Sequence, residues 1–182
     1  MPVLDEENLV KRLKDPGTRE ESYRLLVSTY SRRLYWHIRK IVLDHDDADD
    51  VLQNTFIKVF RNMDGFRGDS KLYSWMYRIA TNEAVNLLKQ RAGKLRVDLN
   101  DYQQQLVGNL EGDVYFDGDA IQLKLQKAIV SLPQKQQLVF RLKYYENMKY
   151  EAMSEILDTS VGSLKASYHH ARKKIESYMQ ND

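Results

Sequence analysis

The chain has 182 residues, with 28 Lys+Arg against 26 Asp+Glu, 42% hydrophobic residues and 30% charged ones; this fits one domain or two small ones with a modest core and a charge-rich surface. It is too short for a large catalytic barrel, which takes ~250 residues, and the absence of cysteine excludes a disulfide framework, a thiolate metal site and a cysteine nucleophile and points to a reducing cytosol. No apolar run approaches ~18 residues and MPVLDEENLVKRLKD lacks an apolar core, so neither membrane insertion nor a signal peptide is expected. With 8 Gly and 3 Pro the chain is also too poor in turn formers for a sandwich or barrel, and it reads as all-α.

In chain order, a short first helix is expected from Glu6 to Lys14, stopped by Asp15-Pro16-Gly17. Tyr23, Leu26, Val27, Tyr30, Leu34, Ile38 and Val42 recur mostly at steps of three and four, and Val51, Leu52, Thr55, Phe56, Val59, Phe60 and Met63 form a second stripe. A further helix runs from about Ser70 to Gln90 and is expected to stop at Gly93. These four helices close an N-terminal domain over 1–92. Residues 93–119 hold four of the eight glycines and six acids against two bases; they show no sustained period and read as a flexible acidic linker. Residues 120–182 form a C-terminal domain with ten bases against six acids, a surplus that suits a polyanion. Its apolar stripe is Ile121, Leu125, Ala128, Ile129 and Leu132, and Pro133 opens the next helix.

The C-terminal stretch YEAMSEILDTSVGSLKASYHHARKKIESYM reads as helix, tight turn, helix. Asp158 and Thr159 fall in the turn, Ser160 caps the second helix, and Val161, Leu164, Tyr168, Ala171 and Ile175 define its buried face. The outer face then carries Ser160, Ser163 and Ser167, then His170 and Lys173, flanked by Lys165 and Arg172, an arrangement suited to reading a major groove. A plain helical hairpin with a solvated basic face has the same period.

Earlier in the chain, DHDDADD at 44–50 opens a helix, where acids are favoured by the dipole. Five Asp exceed what capping requires, and Asp46, Asp49, Asp50, Gln53, Asn54 and Ile57 share the face away from the core, as in a docking surface for a basic partner. The Asp46, Asp47 and Asp50 spacing also matches a magnesium-diphosphate motif, but the second acidic motif of such enzymes is missing and the stretch fails as a calcium loop. Between these signals, GFRGDSKLYSWMYRIATN interleaves aromatics with cations, as single-strand binding does. Trp75 reads mainly as core, and Lys71, Arg78 and Asn82 as contact residues.

Together, DADDVLQNTFIKVF at 47–60, FRGDSKLYSWMYRIATN at 66–82 and the helix-turn-helix stretch at 132–175 resemble a bacterial extracytoplasmic function (ECF, group IV) RNA polymerase sigma factor. The resemblance implies docking on core RNA polymerase through Asp49, Asp50, Gln53, Asn54 and Ile57. It implies −10 recognition and melting through Phe66, Arg67, Lys71, Arg78, Asn82 and Asn86, and −35 recognition through the outer face of the last helix. It further implies a cytoplasmic protein with no enzymatic activity, cofactor or metal, and promoter DNA as partner; an anti-sigma factor is a further partner it leaves open. The family often has Ala, Gly and Ile at Ser154, Asp158 and Thr159, which predicts looser packing of the turn here, and Arg at Ser167 and His170, which predicts a different −35 preference. The alternative function is a stand-alone helix-turn-helix regulator.

Overall fold

The computed structural model describes residues 5–181, which form α-helices and two single 3-10 turns, with no strand among the described residues. The helices are α1 (Glu6–Lys14), α2 (Arg19–Val42), α3 (His45–Asn62), α4 (Leu72–Leu95), α5 (Leu99–Asn109), α6 (Ala120–Val130), α7 (Gln134–Tyr144), α8 (Tyr150–Leu157) and α9 (Val161–Gln180). The termini of the expected N-terminal segment, Met1 to Leu4, lie outside the described residues.

Carboxylates and a hydroxyl start most of these helices by accepting from an otherwise orphaned backbone N–H. Asp44 takes the N–H of Asp47 at 2.8 Å, Asp98 that of Asn100 at 2.8 Å, Asp119 that of Gln122 at 2.9 Å and Ser160 that of Ser163 at 3.2 Å. Helix α4 is opened from a distance: Glu6 of α1 accepts from the Leu72 N–H at 2.9 Å. Three helices end on a non-glycine residue in the left-handed region, Leu43, Arg96 and Asp158.

Two expectations need correction here. Helix α4 does not stop at Gly93; it runs on to Leu95 and ends at Arg96, whose φ is 55°. The segment 93–119 is not an irregular tether either, because 99–109 is helix α5. Leu99, Tyr102, Leu106, Val107 and Leu110 do follow helical steps, and Tyr102, Val107 and Leu110 are buried against neighbouring helices. The glycines and the Gln run masked that period. Within the run, Gln103 is buried and exchanges reciprocal amide hydrogen bonds with Gln137 of α7, at 2.9 and 3.0 Å.

The two halves pack on each other. Val139, Leu142, Met148, Met153, Ile156 and Leu164 belong to the same buried cluster as Leu26, Ile38, Met76 and Tyr77, with α8 lying against α4. Each fully buried side chain of this size contributes ~1.5–3 kcal/mol relative to exposure. Polar contacts mark the same seam: Arg39 of α2 pairs with Asp113, and Glu146 lies 3.6 Å from Arg33. Ala128, Ile129, Leu132, Phe140, Ala171 and Ile175 form a second cluster inside the C-terminal half.

Candidate nucleic-acid interface

Helix α9 presents most of the face read from its period, with Val161 and Tyr168 only partly buried. Leu164, Ala171 and Ile175 are buried, and Ser160, Lys165, His170, Arg172 and Lys173 are exposed, with Ser163 and Ser167 half-buried. The turn before it is held by its own polar side chains. Asp158 takes φ 51°, the Ser154 hydroxyl donates to the Thr159 carbonyl at 2.6 Å, and the Thr159 hydroxyl donates to the Leu157 carbonyl at 3.1 Å. The polar residues at these positions therefore tie the turn with hydrogen bonds of their own. Arg172 is drawn towards Glu176, 3.2 Å away, in a pair exposed enough to exchange for a phosphate.

Sequence reasoning missed two cations beside this face. Lys135, at the start of α7, approaches the Ser163 hydroxyl at 3.5 Å and adds charge at the N-terminal end of α9. Lys143 sits 4.6 Å from the centroid of the Tyr150 ring, with Lys165 on the same ring at 5.7 Å. Neither could be found from the α9 pattern, because the packing of α7 against α8 and α9 creates the proximity.

On α4, Arg78, Asn82 and Asn86 are exposed at successive turns, and Arg67 and Lys71 are exposed in the preceding loop. Gly68 holds φ 79° in that loop, a conformation side chains rarely adopt. Phe66 is a correction: it is 5% exposed and its ring packs 4.9 Å from that of Trp75, so it anchors the loop from below instead of standing on its surface. Behind α4 lies His37, fully buried, with Nε2 2.8 Å from the Thr81 hydroxyl. Burial first, then the charges of Lys40, Arg141 and Arg33, push its pKa down to about 3, so it is neutral at physiological pH. Arg141, buried beside it, is lowered to about 10 by burial and keeps its charge.

The acidic cluster divides its work. Asp44 caps α3, Asp47 binds Arg91 of α4 at 2.9 Å, and Asp49 lies 3.4 Å from His45. Asp50, Gln53 and Asn54 are exposed, Asp49 is half-buried and Ile57 is 44% exposed, giving an acidic-amide face with one apolar residue that no other helix covers. No group of three or more His, Cys, Asp or Glu side chains converges as for a metal ion among the described residues. No helix among them is long and apolar enough to cross a membrane.

These faces coincide with two family matches: Sigma-70 region 2 over residues 26–93, and Sigma-70 region 4 over residues 122–175. The chain is 30% identical over 188 residues to the ECF RNA polymerase sigma-E factor of Haemophilus influenzae, covering 97% of this chain and 96% of that protein. Its fold is similar to that of CnrH in complex with the cytosolic domain of CnrY, with a TM-score of 0.72 at 18% identity over 97% of this chain and 98% of that one. It is also similar to the sigma factor RpoE from Bartonella quintana in complex with the anti-sigma factor NepR, with a TM-score of 0.67 at 19% identity over 89% of this chain and 99% of that one. The chain belongs to the ECF sigma factors, non-enzymatic initiation factors that direct RNA polymerase to promoters.

Proposed function

We propose that this is a group IV sigma factor acting in the cytoplasm, with residues 1–92 and 120–182 as two functional units joined by 93–119. In this reading Asp49, Asp50, Gln53, Asn54 and Ile57 dock on core polymerase. Arg67, Lys71, Arg78, Asn82 and Asn86 hold the opened −10 strand, and Phe66 supports their loop. Ser160, Ser163 and Ser167 reach −35 base edges, while Lys165, His170, Arg172 and Lys173 meet phosphate, joined by Lys135. The observation that carries the reading is that one chain exposes all three faces, on α3, α4 and α9. A stand-alone regulator has no use for the first.

The docked arrangement of the halves does not fit both promoter elements at once. A compact chain of this length has a radius of gyration of ~16 Å, so it is about 40 Å across. Elements centred ~25 base pairs apart lie about 85 Å from each other along the duplex. The halves therefore separate when the chain engages the promoter with polymerase. An anti-sigma factor, which the Bartonella quintana protein has as its partner in its complex, is proposed as a further partner of this chain. The test is co-purification with core polymerase: the wild-type chain is expected to be retained, and Asp50→Lys with Gln53→Ala to be lost while keeping its helicity, because both positions are exposed. Retention of the folded double mutant would contradict the docking assignment.

A further inference from the structure

The loop that carries Arg67 and Lys71 joins the 3-10 turn at Met63–Gly65 to α4. Arg67, Gly68, Asp69 and Lys71 are exposed, so packing leaves the middle of this loop free. Its two ends are held by one short helix, α1, which lies 52 and 66 positions earlier in the chain. At the first end the Lys14 ammonium donates to the Phe66 carbonyl. The Phe66 N–H donates to the Met63 carbonyl at 3.1 Å and its ring packs on Trp75, so this residue is fixed through backbone and side chain alike. At the second end the Glu6 carboxylate accepts from the Leu72 N–H at 2.9 Å. Lys71, just before α4, makes no capping bond with its side chain. Glu6 therefore does for α4 what a local cap does for other helices, and its charge meets the positive end of the α4 dipole.

Helix α1 sets the distance between these grips. Glu6 and Lys14 are its first and last residues, and they share a face with Leu9 and Leu13, both buried in the core. At 1.5 Å of rise per residue, the two ends of α1 are ~12 Å apart. The chain from Phe66 to Leu72, fully extended, would span ~20 Å. The loop is therefore held slack and arches, with Gly68 at φ 79° within the arch. Between the grips it stands off α1: a groove of about 550 Å3 separates them, lined by Val10 and Lys11 of α1, by Arg67, Asp69 and Ser70 of the loop, and by Glu155 of α8.

We propose that Glu6 and Lys14 are positioning residues for −10 recognition: together they hold the arch in the shape that presents Arg67 and Lys71 to the opened strand. The proposal rests on the −10 assignment of this loop made above. Both grips are charge-assisted hydrogen bonds, which are stronger than neutral ones. A loop ordered before DNA arrives loses less conformational freedom on binding, so the grips act on recognition without touching DNA.

The test has two parts. In the free full-length chain, amide hydrogen exchange followed by NMR measures the grip itself. Glu6→Ala should speed exchange of the Leu72 amide about tenfold relative to Met76 and Ala80 further along α4, and Glu6→Gln, which keeps an acceptor oxygen, should restore most of the protection. In holoenzyme, open-complex formation across a randomised −10 library measures the consequence. Glu6→Ala and Lys14→Met should each lower −10 selectivity about fivefold, with Glu6→Gln and Lys14→Arg near wild type and retention by core polymerase unchanged in all four. Lys14→Met, at an exposed position, keeps the test decisive if Glu6→Ala unfolds. A fall in retention alongside selectivity would show general instability and overturn the proposal, as would unchanged Leu72 exchange in Glu6→Ala. Arg67→Ala reports on the −10 assignment by itself: wild-type selectivity there would overturn that assignment and the proposal with it. Lowered selectivity in Arg67→Ala, beside wild-type selectivity in Glu6→Ala and Lys14→Met, would overturn the proposal and leave the assignment standing.

Discussion

The hydroxyl of Tyr77 on α4 donates to the carboxylate of Glu146, 3.4 Å away in the turn that follows α7. Tyr77 is fully buried, and burial, then the neighbouring Glu146 charge, raises its pKa, so it remains a neutral donor. Arg78 and Asn82, next along the same helix, point to solvent. The helix assigned to the −10 element is thus gripped from behind by the half assigned to the −35 element.

Removing the carboxylate tests that grip. Glu146→Ala leaves the Tyr77 hydroxyl buried without an acceptor, which costs about 1–3 kcal/mol. The ion pair with Arg33 adds little, since that side chain is 48% exposed. The expected outcome is a lower urea midpoint together with a radius of gyration, by X-ray scattering, above the compact value of ~16 Å. A variant with unchanged midpoint and radius would show that Glu146 does not hold the halves together.

His37 predicts an acid weakness. Its folded pKa of about 3 lies below the unfolded value of 6.5. Between those limits the unfolded chain binds the extra proton, so the contribution is fully present above pH 6.5 and is lost as pH falls towards 3. The slope is at most ~1.4 kcal/mol per pH unit. Unfolding free energies measured by denaturant titration across this window should fall with acidification. In His37→Gln, whose side-chain amide can still reach Thr81, the fall should be shallower. Equal slopes in both proteins would mean that His37 is not the titrating group.

The structured part of 93–119 changes where a protease should cut. Val114 is 89% exposed and follows Asp113, whereas Tyr102, Gln103 and Val107 of α5 are buried. Limited proteolysis should therefore nick first between Val114 and Asp119 and spare α5. Early cleavage within 99–109 would show that α5 is not docked in solution.

For the −35 reader, Lys173→Ala should weaken holoenzyme binding about equally across promoter sequences and reduce the salt slope by roughly one unit. Ser163→Ala and Ser167→Ala should change base preference and leave that slope nearly intact, because a hydroxyl near base edges neutralises no phosphate. A randomised −35 library read at two salt concentrations measures both quantities. A sequence-selective effect of Lys173→Ala, with slope changes from the serine variants, would reverse the orientation of α9.

Much of the architecture was legible because local pattern and tertiary packing agree. The stripe Leu164, Ala171, Ile175 is buried as its spacing requires, and Ser160 caps α9 through the backbone of Ser163. The reading failed where packing decides. Phe66 looks like an accessible loop aromatic until α4 places Trp75 beside it. Helix α5 has a weak pattern because one inward position is Gln103, satisfied only by Gln137, 34 residues away. The seam residues Arg33, Arg39 and Glu146 carry no local signal, since their partners lie 69 to 113 positions along the chain and a charged residue in a helix or turn ordinarily reads as surface.

The most direct measurement of the central claim is in vitro transcription with core RNA polymerase, the purified chain and genomic fragments as template. The account predicts initiation at discrete start sites that share upstream −10 and −35 elements, dependent on the chain and abolished by Asp50→Lys with Gln53→Ala. Specific binding of the chain to DNA without polymerase, combined with no start site that depends on it, would contradict the account and favour a stand-alone regulator.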